Sequence, residues 1–391
     1  MCYAIPGKII LIDGKFVTLE YFGEKRKARN EFYDIAIGEY VYAQGGFIVQ
    51  KIEESEALPL LEIWKEVFVV LKERDLRLVS EPKTLYQTAN AKRQQVLGNS
   101  CCVHGIIEFS NYCVNDCLYC GIRKSNSKVK RYRMSIEEIL AATKDAVSRL
   151  GFKAIVFQSG ECPYYTDEML IDLVKSARAL GILVTMSVGE RSIESYKKMY
   201  DSGARSVLIR FETSNKKVFG KIKPESDFDK RINLIKALRD MGYLVMTGFL
   251  IGLPGQTEQD TMEDIKLTGE LQTEMFSFGP FLPHPETPLK AEKSPSLEMC
   301  LNTIARARIM FPESKIVVTT AIETLEKNNG AKAGLMAGAN SLMVNITPEK
   351  YRCCYEIYPE RACNDVKVED RIKYVINLLN SLGRAPTDIG I

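Results

Sequence analysis

The stretch that decides the architecture runs Ile106-Ile107-Glu108-Phe109-Ser110-Asn111-Tyr112-Cys113-Val114-Asn115-Asp116-Cys117-Leu118-Tyr119-Cys120. A run of strand character ends in a polar loop that carries three cysteines. Further apolar runs follow at Ala154–Phe157, Leu183–Met186, Val207–Ile209, Leu244–Leu250, Met275–Phe278, Lys315–Val318 and Ser341–Val344. Helix-length amphipathic segments separate most of them. One holds Ile136, Ile139, Leu140, Ala146, Val147 and Leu150, opened by Ser135 with Glu138 three residues on, a capping box. Eight such β–α repeats over about 300 residues predict an α/β fold of the (βα)8 TIM-barrel type, in which the strand ends carry the chemistry.

Ahead of this region the pattern changes. Ile9–Ile12 and Phe16–Leu19 flank Asp13-Gly14-Lys15, a hairpin signal. A charged segment, Gly23–Arg29, reads as a turn. Tyr40–Ala43 and Phe47–Gln50 are separated by Gly45-Gly46. Short strands this dense predict a small all-β, OB-like barrel. Leu60, Ile63, Trp64, Val67, Phe68 and Leu71 then recur at helical spacing, predicting a helix from near Pro59 to near Asp75. The expected division is residues 1–75 for the small barrel and its helix, 76–98 for a linker marked by Pro82 and a lead-in helix, and 99–391 for the large barrel.

Composition narrows the function. With 391 residues, 46% apolar and 26% charged, the chain is globular rather than disordered. A net charge of +3 argues against nucleic acid or an anionic membrane as the main partner. No apolar stretch approaches the roughly 20 residues of a membrane span, and Met1–Lys8 lacks a signal-peptide pattern, so a cytoplasmic location is expected. Eleven cysteines in a reducing compartment point to metal ligands, buried apolar residues or reactive thiols rather than disulfides.

Cys113, Cys117 and Cys120 on one loop have the spacing to ligate three irons of a 4Fe–4S cubane, leaving the fourth iron open. An open iron can chelate the amino and carboxylate groups of S-adenosylmethionine (SAM), and reduction then splits a C–S bond to yield a 5′-deoxyadenosyl radical. The alternative is zinc, which needs four ligands; no second C-x-x-C pair is present, and His104 would have to be recruited. Cys101, Cys102, Cys162 and Cys300 have no metal spacing and read as buried filler, and the adjacent Cys353 and Cys354 read as structural.

These residues resemble the radical SAM superfamily, in its biotin synthase-type branch and the HydE type associated with [FeFe]-hydrogenase maturation. The resemblance covers about residues 84–389. It rests on Ile107–Asn111, the cysteine triplet, Arg131–Met134, Gln158–Glu161, Arg210–Thr213, Gly252–Thr257, Gly279–Pro285, Thr319–Ala321 and Thr347-Pro348. It implies a 4Fe–4S cluster on Cys113, Cys117 and Cys120, and SAM contacts from Tyr119, Gln158, Thr185, Ser187, Glu212 and Arg231. For Thr185 and Ser187 the residues alone also allow plain strand positions facing inward. Arg210, Thr319, Thr320, Met343 and Tyr355 match positions around the substrate cavity, although Arg210 alone could equally serve a structural ion pair. The implied partners are a low-potential electron donor (ferredoxin or flavodoxin) and a small anionic, amino-acid-like or iron-complex substrate. Two departures stand out: Phe211 occupies a position where many HydE-type chains have histidine, and in the C-terminal region Cys363 is the last cysteine, so a single cluster is expected.

The opening Met1-Cys2-Tyr3-Ala4-Ile5-Pro6-Gly7-Lys8, with Ile37–Ala43 and Gly46–Ile52, resembles the HypC family of hydrogenase assembly chaperones over about residues 1–75. That resemblance implies an iron handle at Cys2 and docking to a metallocofactor-maturation protein. Gln44 lies where the family usually has a histidine, and an amide is a poor ligand for soft iron. Alternatives are an amino-acid mutase of the methylornithine synthase type, a biotin synthase-like enzyme, and an assembly chaperone whose barrel is idle.

Overall fold

The computed structural model describes residues 5–386, so Cys2 lies outside the described residues. Strands β1 (Gly7–Asp13), β2 (Phe16–Tyr21), β3 (Glu24–Arg29), β4 (Tyr40–Gln44) and β5 (Phe47–Ile52) close a small barrel in the order β1-β2-β3-β5-β4. Ile9, Val17, Leu19, Ala28, Val41, Ala43 and Ile48 fill it. The charged segment expected to be a turn is strand β3. The turn is only Phe22-Gly23, both at positive φ. Of β3's side chains only Ala28 is buried, and Glu24, four residues away on the same face, pairs with Arg26 at 3.0 Å and Lys72 at 2.7 Å. A strand that buries one side chain carries almost no apolar signal.

Helix α1 (Glu54–Leu78) starts five residues before Pro59, which it carries in its second turn, and is followed by α2 (Leu85–Leu97). The large barrel then uses β6 (Cys102–Ser110), β7 (Ala154–Ser159), β8 (Leu183–Ser187), β9 (Ser206–Leu208) and β10 (Leu244–Thr247). After β11 (Leu250–Ile251) come β12 (Met275–Phe276), β13 (Gly279–Pro280), β14 (Lys315–Val318) and β15 (Ser341–Asn345). Eight of these close a parallel barrel, β6-β7-β8-β9-β10-β12-β14-β15, while β11 and β13 pair separately above it. The single run expected over Leu244–Leu250 is thus split at Gly248. A side chain there would meet the Ser277 carbonyl oxygen at 2.3 Å, so glycine allows the two backbones to close together where they leave the barrel. Helices α3 (Ile136–Ser148), α4 (Asp167–Ala179), α5 (Ile193–Ser202), α6 (Lys216–Ile222) and α7 (Phe228–Met241) cover the first half of the barrel. α3 begins with the expected Ser135/Glu138 capping box.

The small barrel sits on the N-terminal mouth of the large one. Tyr40, Tyr42, Val49 and Ala57 pack with Ala154, Leu183 and Leu244, which start β7, β8 and β10. The β4–β5 tip comes closest: a Cβ on Gly45 would lie 2.6 Å from Leu244 Cδ1. Polar seams flank this contact, with Arg205 Nε donating to Glu31 at 2.6 Å and Lys153 Nζ to Gln50 at 2.7 Å. Asp75 of α1, fully buried, receives Arg93 of α2 through two bonds of 2.6 and 2.7 Å, and Arg384 approaches it at 3.7 Å.

Candidate radical SAM site

At the opposite, C-terminal mouth the cysteine loop is built mainly by residues other than cysteine. Arg131 donates to the carbonyls of Asn111 (2.5 Å), Ile122 (2.8 Å), Arg123 (2.6 Å) and Asn126 (3.2 Å), drawing both ends of the loop together. Inside it, Asp116 accepts two bonds from Arg123 and two from Ser125, and the Arg123 guanidinium holds its carboxyl well below the usual range. Gly160 lets this loop lie against β7, because a Cβ there would fall 2.4 Å from the Tyr112 carbonyl oxygen. Leu118 N–H bonds the Ile222 carbonyl at 2.8 Å, seating the loop on the end of α6.

Cys113, Cys117 and Cys120 all line one cavity of about 260 Å³. Tyr119, Gln158, Ser187, Glu212, Arg231, Arg210 and Tyr355 line it with them. Burial pushes the Cys113 and Cys120 thiols up, so as free side chains they keep their protons. Glu212 stands at φ 71, a conformation costly for a residue with a Cβ. Its Oε2, 3.3 Å from Arg210 Nη2, is buried without a hydrogen bond. Arg210 Nη2 also bonds the Phe249 carbonyl at 2.5 Å. Tyr355 and Gln158 line the same cavity, and Ser187 Oγ bonds the Gln158 amide oxygen at 3.4 Å.

Thr185, Thr319, Thr320 and Met343 are not among the residues that form this lining. Thr185 lies two residues below Ser187 on β8, fully buried, its hydroxyl without a partner. Met343 packs into an apolar layer with Cys102, Met246, Met275 and Val317 at the level of Leu208, which touches the cavity. Thr319 and Thr320 start the short helix Thr320–Leu325; the Thr319 hydroxyl is buried and unbonded, while their neighbour Ala321 reaches the cavity. Phe211 points into the core, its ring 6.1 Å from that of Phe249. His104 sits within β6, away from the cysteines' cavity. The Cys353 and Cys354 sulfurs lie 3.8 Å apart, the first exposed and the second buried.

Several residues of the site carried no sequence role. Arg231 is paired with Glu190 at 2.7 Å and Glu161 at 3.6 Å. Gly189 makes this possible: at φ 74, a Cβ on it would lie 2.0 Å from Glu161 Cγ. Lys223, on the cavity wall, donates to Cys117 Sγ at 3.3 Å. Arg361 grips the buried Glu108 of β6 at 2.6 and 3.0 Å and the Tyr355 carbonyl at 2.6 Å, tying Tyr355 to the barrel. Asp264 accepts from Ser214 N–H, Thr213 Oγ1 and Gln256 Nε2, fixing the turn after Glu212; burial still pushes its carboxyl up to about 6. Glu161, Glu108, Thr213 and Gln256 fell within recognised motifs and Arg231 was expected at the SAM site; Glu190, Gly189, Lys223, Arg361 and Asp264 arrive from separate elements, and only the fold brings them together.

Comparison with known proteins bears on this geometry. The sequence matches the Radical SAM superfamily over residues 107–268, the Biotin and Thiamin Synthesis associated domain over 277–383 and the HupF/HypC family over 1–64. It is 38% identical to the [FeFe] hydrogenase maturase subunit HydE of Thermotoga maritima, over 88% of this chain and 95% of that one. The chain belongs to the HydE family of radical SAM enzymes. This HydE-family chain is also 29% identical to the 3-methylornithine synthase of Methanosarcina acetivorans, over 81% of its length and 90% of that protein. Its fold is similar to the crystal structure of methylornithine synthase (PylB), at a TM-score of 0.65 and 26% identity, covering 79% of this chain and 96% of that one. Among the described residues no helix is long and apolar enough to cross a membrane.

Membership of the family implies a 4Fe–4S cluster and SAM, and the residues present fit both. Three thiols line one cavity, an ammonium lies against one of them, and Glu212 Oε2 and Arg231 Nε are buried with no hydrogen bond. An acidic and a guanidinium group are the complements of SAM's ammonium and carboxylate.

Proposed function

We propose that this chain holds one 4Fe–4S cluster through Cys113, Cys117 and Cys120 and acts on a small anionic, amino-acid-like or iron-complex substrate in hydrogenase-type metallocofactor assembly. The observation that carries this reading is that the three cysteines, Glu212, Arg231, Arg210 and Tyr355 face a single cavity. Bound and reduced, the cluster and SAM supply one-electron cleavage of a sulfonium C–S bond. The protein's part is to bind and orient. Glu212 takes the SAM ammonium, and Arg231 takes its carboxylate while Glu190 and Glu161 hold the guanidinium in place. Gln158 and Ser187 offer polar contacts to the ribose side, and Tyr119 packs near the adenine. Arg210 receives the substrate's anionic group, and Tyr355 closes that end. Thr185, Thr319, Thr320 and Met343 are proposed to act from just behind this lining, Thr185 and Thr319 through hydroxyls that have no hydrogen-bond partner.

The test is anaerobic reconstitution with SAM, a low-potential reductant such as ferredoxin, and candidate substrates. Formation of 5′-deoxyadenosine stimulated by cysteine-derived or iron-bearing compounds, and not by lysine, is the expected result. Conversion of lysine to methylornithine would replace this reading with the mutase, and absence of deoxyadenosine under every condition would leave the barrel idle.

For the N-terminal module we propose docking to a hydrogenase-maturation protein, with Cys2 as its iron handle, and boundaries at residues 1–75, 76–98 and 99–391. Support comes from α1, where Ile63, Val67 and Val70 form one row at 67%, 43% and 54% exposure. Glu62 and Glu66 edge that row, so it fits an apolar partner surface bordered by lysine or arginine. Ile63→Asp with Val67→Asp should abolish co-purification of a maturation protein while leaving iron content unchanged. Unaltered co-purification would remove this surface from consideration. Point substitutions serve better here than deleting the module, which would bare Leu183 and Leu244.

A further inference from the structure

Lys223 follows the last residue of α6, its own N–H bonding the Phe219 carbonyl at 2.9 Å. The same helix end receives Leu118 N–H from the cysteine loop, so the lysine stem and Cys117 are fixed to one another through backbone. The side chain is 4% exposed, and its Nζ donates to Cys117 Sγ at 3.3 Å. Among the described residues three cationic side chains line the cavity, Arg210, Lys223 and Arg231. Arg231 has Glu190 and Glu161, and Arg210 has Glu212; among the described residues no carboxylate lies within ion-pair distance of Lys223. A buried ammonium costs several kcal/mol unless an anion answers it. A neutral thiol is a weak acceptor, whereas an iron-bound thiolate carries the missing charge.

We propose that Lys223 is a positioning residue for the cluster that raises its reduction potential. The inference rests on the cluster reading given above. A 4Fe–4S core of charge 2+ with three thiolates has net charge −1, and one electron from a ferredoxin- or flavodoxin-type donor makes it −2. A fixed positive charge against Cys117 stabilises the −2 state more than the −1 state, so the electron is easier to add. The low dielectric around a buried lysine keeps that effect from being screened by salt. Lys223 also gives the site a directional donor, which holds the Cys117 sulfur toward the cavity.

The experiment uses the full chain, reconstituted anaerobically without SAM, as wild type, K223M, K223Q and K223R. Iron and sulfide content and circular dichroism establish loading and folding, and an EPR-monitored titration with dithionite gives the midpoint potential. K223M and K223Q are expected to load the cluster and titrate at lower potential, with K223R close to wild type. K223Q carries the test if K223M loads poorly, since its amide retains a donor without the charge. Equal midpoints in wild type and the neutral variants at equal iron content overturn the proposal. A wild-type chain that takes up no cluster overturns the functional reading instead.

Discussion

Changing any one of Cys113, Cys117 or Cys120 to alanine should abolish reductive cleavage of SAM, leaving 5′-deoxyadenosine at the protein-free background. A cluster held by three thiolates has no spare ligand, and among the described residues no other cysteine lines the cavity. The loop itself should survive the substitution. Its closure depends on the four carbonyl bonds from Arg131 and the Asp116–Arg123 pair, none of which uses a cysteine sulfur. Loss of activity with unchanged circular dichroism is therefore expected, accompanied by loss of the cluster's visible absorption. Deoxyadenosine at the wild-type rate in any of the three variants would detach the chemistry from this loop.

The largest expected effect on stability lies at the other end of the molecule. Asp75→Ala removes the carboxylate that neutralises a group of buried arginines. Arg93 and Arg384 are fully buried and both reach Asp75, and Arg308, also buried, has its guanidinium pushed down to about 9 by burial and by the charges of Arg93 and Arg384. Breaking such a pair from the anion side typically costs about 3–5 kcal/mol, because it strands buried charge. Arg93→Met should cost less: it strands only Asp75, which Arg384 already approaches, and it relieves repulsion among the arginines. Trp64, the chain's single tryptophan, lies on α1 beside Phe68 and Leu71 and so reports on this helix. Its fluorescence in a urea titration should place the Asp75→Ala transition at clearly lower denaturant than wild type, with Arg93→Met between them. A reversed order would mean that packing, not charge, dominates the seam.

Much of the architecture was legible because the relevant signals are local. Each barrel strand is an apolar run, and α3 announces itself by Ser135 and Glu138. Strand β3 was hidden because only Ala28 needs to be apolar. The division at Gly248 was hidden because it depends on a backbone some thirty residues away, at Ser277. In the site, the cysteine triplet is a single loop and could be read directly, as could Gln158 and Glu212 through their motifs. Lys223, Glu190 and Arg361 could not, since each acts through a partner on another element: Cys117, Arg231 and Glu108. Thr185 and Met343 illustrate the converse. Their place along β8 and β15 follows from sequence, but depth along the barrel axis, which separates cavity wall from the layer beneath it, does not.

The seating of the β4–β5 tip on Leu183 and Leu244 bears on how a fused carrier can work. A module on a slack tether gains from a raised local concentration of its cargo, delivered by diffusion over the tether's reach. A module wedged into a barrel mouth and pinned through Asp75 forgoes that gain. It offers geometry instead: a partner docked on α1 as proposed would be held at a fixed distance and angle from the cysteine end, so that recognition at one pole of the barrel would set alignment at the other.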